Sequence, residues 1–180
     1  IEDFSVLATM PNLRNLYIGN NPISELPDLS GCNELRMLNL DHLYLDNLAP
    51  LKGLGLYELE MLDIKVLDND YSVLKELDAL YHITIGEPES GMIRVVGELD
   101  TLTDLSVDSW PENNIDALLS LNNLTVFSIS SEYLKDIKGI EKLNRLQRLY
   151  LDGSSRMADV SGIEKLEYLQ EFSTNSYVIK

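Results

Sequence analysis

The side chains of this chain that could do chemistry are spaced for contact, not for catalysis. Tyr17, Met37, Met61 and His82 recur roughly one repeat, about 22 residues, apart, and Asn39, Asp41 and Asp63 stand beside them. Exposed aromatic and thioether groups rimmed by charge are what a protein partner's hot spot needs, and methionine adapts to irregular partner shapes. A second, flatter group comprises Asp104 and Asp108 with the small Ser106, Ser128 and Ser130; a solvated acidic face explains it more simply than a site does. Trp110, next to Pro111, reads as a rim anchor or as a plug filling a turn.

Reaction chemistry is missing. The sequence contains no G-x-S-x-G, G-x-G-x-x-G, phosphate-loop or H-E-x-x-H pattern. Cys32, His42 and His82 fall in different segments, so no Cys–His nucleophile pair is expected and Cys32 reads as a small core residue. Asp68-Asn69-Asp70 begins like a calcium loop, but Val73 stands where glycine is needed and Ala79 where glutamate is needed. No metal, no cofactor and no cation binding is expected, and the chain reads as not an enzyme.

These residues must be positioned by a repeating scaffold. Leucines at 13, 35, 59, 80, 102, 124, 146 and 169 each begin an L-x-x-L-x-L-like stretch, as in Leu146-Gln147-Arg148-Leu149-Tyr150-Leu151. Its apolar/polar alternation predicts a short strand, and stacking such strands predicts a parallel sheet. The second half of each repeat has an apolar step of three, as in Leu134, Ile137, Ile140 and Leu143. Side chains three apart eclipse in a 3₁₀ turn, so the return segment is predicted to be 3₁₀ or a short helical turn. The expected fold class is an α/β solenoid: a right-handed superhelix with a parallel β-sheet on its concave face and 3₁₀ or short helical turns on its convex face. Residues 1–180 are expected to form one domain of about eight repeats, partial at both ends. No distinct polar cap is visible at either end, so the chain is expected to be part of a longer protein or to pair at its ends.

The repeats resemble the short leucine-rich repeats of bacterial internalins. Asp136-Ile137-Lys138-Gly139-Ile140-Glu141-Lys142-Leu143 and Asp159-Val160-Ser161-Gly162-Ile163-Glu164-Lys165-Leu166 look like that class's return segment. The class carries asparagine nine places into each repeat. Here Asn21 fits, but Leu43, Leu67, Pro88, Trp110, Glu132, Ser154 and Tyr177 stand in the other places. Buried turn amides must therefore find other partners, from water or other side chains.

Net charge is −16, from 14 Lys and Arg against 30 Asp and Glu. That excludes a basic footprint for nucleic acid or an anionic membrane, and leaves room for a cationic partner. No apolar run is long enough to span a bilayer. With one cysteine there is no intrachain disulfide. The expected role is a non-catalytic module binding another protein on the concave face, at Tyr17, Met37, Asn39, Asp41, Met61, Asp63, His82 and Trp110. The resemblance implies part of a larger bacterial secreted or cell-surface protein. A spacer segment of such a protein, or a cytoplasmic regulatory subunit, are the alternatives.

Overall fold

Alternation along each repeat drives one row of side chains inward and leaves the next outside. A computed structural model of the chain describes residues 1 and 3–175; Tyr177, which the repeat pattern places at a turn, lies outside them. The principal strands are β1 (Asn15–Tyr17), β2 (Met37–Asn39), β4 (Glu58–Met61), β6 (His82–Gly86), β7 (Asp104–Asp108), β8 (Val126–Ser130), β9 (Arg148–Asp152) and β10 (Glu171–Asn175). They form one eight-stranded parallel sheet in that order. The short β3 (Tyr44–Leu45) and β5 (Lys65–Val66) pair with each other as a second, two-stranded sheet.

Leu38, Leu59, Ile83, Leu105, Phe127 and Leu149 stack as one buried row, and Leu40, Met61, Ile85, Val107, Ile129 and Leu151 as the next. Neither row can be buried by a single coil, so the sheet exists only because coils stack. Phe172 of β10 occupies the same row as Leu149 yet is 38% exposed, because no coil covers its outer side among the described residues.

The return segments are 3₁₀ over Ser5–Thr9, Ala49–Leu51, Ser72–Glu76, Asp116–Leu118, Ile140–Lys142 and Ile163–Lys165. One is instead a two-turn α-helix, α1 (Ser90–Val96), which buries Met92, Ile93, Val95 and Val96. At its end Gly97 lies against the next coil so closely that a Cβ there would come within 2.1 Å of the Ala117 carbonyl oxygen. The internalin-like return segments need glycine for another reason. Gly139 and Gly162 sit at φ 85° and 102°, immediately before their 3₁₀ turns.

Part of the acidity is structural. The Asp3, Asp28, Asp70 and Asp159 carboxylates each accept the backbone N–H two residues on, from Ser5, Ser30, Ser72 and Ser161, at 2.8–2.9 Å. These are Asx turns that launch the return segments. The bonds from the serines hold all four carboxyls below their ordinary pKa. A depressed folded pKa contributes stability that is present above the unfolded carboxylate pKa and is lost as pH falls through the folded one.

Tyr71 is a local defect. Its side chain is almost wholly buried, and its hydroxyl meets no hydrogen-bond partner among the described residues. Burial, and secondarily the nearby Glu89 and Asp68 charges, push its pKa up to about 12. A raised folded pKa means that stability is full below the unfolded value near 10 and declines as pH rises toward 12. Tyr71→Phe is expected to stabilise the fold by about 1 kcal/mol, because it removes an unpaired buried hydroxyl. It should also flatten the alkaline limb of a urea-denaturation series run from pH 8 to 12. An unstabilised variant with the same alkaline limb would show that the hydroxyl is paired.

Candidate functional site: the concave face

The outward-facing residues of the principal strands form three columns, and strand pairing fixes which residue enters each. Asn15 pairs with Met37, Met37 with Glu58, Glu58 with His82, and His82 with Asp104. In the same way Tyr17 pairs with Asn39, Asn39 with Glu60, and Glu60 with Thr84. The third repeat is therefore offset by three residues from the motif reading. Leu56, not Leu59, opens it, and Leu59 lies beside Leu38 in the core.

That offset corrects two assignments. Met61 is fully buried, in the row between Leu40 and Ile85, and does not reach the concave surface. Asp63 is not in the concave column either. It sits in the turn after β4 with φ 50°, where its carboxylate lies 3.2 Å from His42 Nδ1. The surface places given to Met61 and Asp63 belong to Glu58 and Glu60. The offset is hard to see in the sequence because two overlapping stretches, Leu56-Tyr57-Glu58-Leu59-Glu60-Met61 and Leu59-Glu60-Met61-Leu62-Asp63-Ile64, both satisfy the pattern. Only pairing with β2 and β6 chooses between them.

Trp110 is a plug. It is 1% exposed, and its indole Nε1 donates to the Asn114 carbonyl at 2.9 Å. It fills a place where the internalin class has asparagine, and its own backbone N–H donates to the Ser130 carbonyl of the next coil. Water or side chains were expected to satisfy these turns. Instead, coil-to-coil backbone bonds do most of it: Asn20 N–H to the Asp41 carbonyl, His42 to Leu62 and Ser131 to Asp152. Side chains help at several coils. Asn21 Nδ2 donates to the Ile18 carbonyl, and the buried Ser131 hydroxyl donates to the Trp110 carbonyl while accepting from Tyr133 and Leu134.

The remaining sequence-derived residues do share one surface. Tyr17 is 65% exposed, and Met37, Asn39, Asp41 and His82 are partly exposed across β1 to β6. Asn39 is the hub. Its Nδ2 donates to Asp41 Oδ2 at 2.7 Å and to Glu60 Oε2 at 2.6 Å, while Asp41 Oδ1 accepts the Leu62 N–H at 2.7 Å. Two carboxylates are thus held in fixed positions by one amide, which pre-organises this part of the face. Cys32 stays in the core, its Sγ 3.2 Å from the Leu7 carbonyl, and burial raises its pKa.

A further strip was not visible in the motif. The residues just before the strands bring Arg36, Tyr57 and Tyr81 into line. The Arg36 guanidinium lies 5.3 Å from the centre of the Tyr57 ring, and Tyr57 packs tilted on Tyr81 at 6.1 Å. The Tyr81 hydroxyl donates to Glu58 Oε1 at 3.0 Å, and that bond raises its pKa. The strip borders the concave face and links it to Glu58. At the opposite border, where β6 to β9 end, Glu87, Trp110, Glu132 and Tyr133 line an open cleft of about 410 Å³.

Among the described residues no group of three or more His, Cys, Asp or Glu is placed to hold a metal ion, and no helix is long and apolar enough to cross a membrane.

The fold is that of a leucine-rich-repeat solenoid of the internalin type. The chain superimposes on internalin C2 from Listeria monocytogenes with a TM-score of 0.66 and 21% identity, covering 92% of this chain and 82% of that one. It superimposes on internalin F from the same organism with a TM-score of 0.64 and 23% identity, covering 98% of this chain and 58% of that one. No protein-family model matches the sequence, and no curated protein matches it significantly.

Proposed function

We propose that this chain is a non-catalytic protein-binding module that receives its partner on the concave face, across β1 to β7. The observation that carries this reading is Tyr17, 65% exposed on the parallel sheet, with Met37 on the next strand and two carboxylates, Asp41 and Glu60, held by Asn39. An aromatic side chain with two rotatable angles loses little entropy when a partner covers it, and pre-positioned polar groups reduce the ordering cost of binding. His82 and the aromatic strip of Tyr57 and Tyr81 extend the surface. We place the module outside a bacterial cell, within a larger secreted or surface protein; the internalin-type fold supports this reading, and it is checked by probing cell fractions with an antibody to the chain.

The test is affinity capture from host-cell and bacterial-surface extracts by the native chain and by a Tyr17→Ala/Met37→Ala variant, followed by titration of any retained protein. The variant is expected to bind more weakly by about 2 kcal/mol or more, the hot-spot scale. Equal affinity of both chains for the retained protein would remove the site from the concave face.

A further inference from the structure

The concave columns carry many acidic side chains and almost no basic ones. On the return side and along the starts of the strands, some carboxylates have cationic partners: Lys52 with Glu76, Lys75 with Glu98, Lys138 with Asp136, and Arg36 with Glu34. From β2 to β9 the concave columns carry Asp41, Glu58, Glu60, Asp104, Asp108 and Asp152, and among the described residues none of these six forms an ion pair with a lysine, arginine or histidine. The hydrogen bonds that five of them accept come from neutral donors: Asn39 to Asp41 and Glu60, Tyr81 to Glu58, Thr103 to Asp104, and Ser130 to Asp108. Those bonds orient the carboxylates without neutralising them. Arg148 is the single Lys or Arg in the three columns.

Like charges held on one surface repel one another and lower stability, and the repulsion is relieved by a partner of opposite sign. Tyr17 and Met37 at one end and Tyr150 on β9 add apolar contact to the same face. We propose that the partner presents a cationic polypeptide segment, rich in lysine or arginine, to these columns. The proposal rests on the concave-face reading above and gives that partner its chemistry. Encounter is then steered by charge, so affinity falls as salt rises.

The test uses a randomised 16-residue peptide library displayed on phage, selected on the native chain. Two charge-matched variants serve as discriminators. Glu58→Gln/Glu60→Gln/Asp104→Asn neutralises the concave face. Glu25→Gln/Glu112→Gln/Glu167→Gln removes the same charge from exposed carboxylates outside the three columns. The selected peptides are expected to be net cationic, to lose about ten-fold or more in affinity on the concave variant, and to lose less than about two-fold on the other. The concave variant should also melt at or above the native temperature at low salt, which excludes misfolding as the cause.

Cationic peptides that weaken equally on both variants would reduce the effect to diffuse attraction by a −16 chain and overturn the proposal. Neutral or acidic peptides that still lose binding on Tyr17→Ala would overturn it while leaving the concave-face reading intact. A failure to select any peptide, or peptides indifferent to both Tyr17→Ala and the concave variant, would overturn the proposal; indifference would also count against the concave-face reading.

Discussion

Met61→Asp is expected to abolish cooperative folding, although the repeat pattern marks Met61 as a surface contact. The side chain is fully buried, in one row with Leu40 and Ile85. Truncating a buried methionine costs about 2–5 kcal/mol. An unpaired carboxylate in the same place costs several more, or must take up a proton. Together these approach the whole stability of an ordinary domain, about 5–15 kcal/mol. Far-ultraviolet circular dichroism on heating should show no native transition. Met61→Leu, which conserves volume, should cost less than about 1.5 kcal/mol. Leu62→Asp provides the control for the three-residue offset, since Leu62 is only partly buried and a carboxylate there remains solvated. A folded Met61→Asp with a collapsed Leu62→Asp would restore the other pairing and return Met61 to the surface. A binding assay with Met61→Asp would therefore report unfolding and say nothing about the site.

The second large effect is expected at Trp110. Trp110→Ala should destabilise the fold by about 3–5 kcal/mol, the cost of removing a large buried aromatic that the surroundings cannot replace by collapse. Part of the loss is polar, because the Asn114 carbonyl would lose its indole donor at 2.9 Å. Trp110→Phe keeps most of the volume and should cost about 1–3 kcal/mol, the price of the unmet carbonyl and the smaller ring. Guanidinium denaturation followed by circular dichroism separates the two. Trp110 is the only tryptophan, so the native emission should be blue-shifted and should move red on unfolding. An unchanged denaturation midpoint for Trp110→Ala would mean that the ring lies outside the core, as a rim anchor would.

Both experiments concern places where the repeat pattern and the tertiary structure differ, and the differences share a cause. An L-x-x-L-x-L stretch states that side chains alternate, not which of two overlapping copies is used. Around Leu56, Leu59 and Leu62 both copies satisfy the alternation, and a three-residue shift turns an inward Met61 outward. The choice is made by parallel pairing to Leu38 on one side and Ile83 on the other. No residue inside the third repeat contains that information. The same holds for Asp63, whose left-handed turn position depends on where β4 ends. It holds too for the strip of Arg36, Tyr57 and Tyr81, which becomes a strip only when three coils are in line.

The amino-acid order by itself determined the solenoid. Apolar residues at a fixed period can be buried only by stacking coil on coil, so the parallel sheet, the 3₁₀ return segments and the core position of Cys32 followed from spacing alone. It also determined the sign of the charge and the absence of familiar catalytic motifs. The tertiary structure alone decided the composition of the concave face, exchanging Met61 and Asp63 for Glu58 and Glu60. It decided as well that Trp110 is core, that coil-to-coil backbone bonds largely replace an asparagine ladder, and that the carboxylates of the concave columns from β2 to β9 stand without cationic partners. The physical reason is one of range. Burial periodicity is a local property that each repeat states for itself, whereas a surface is assembled from residues some 22 positions apart, and their alignment is settled by hydrogen bonds between coils.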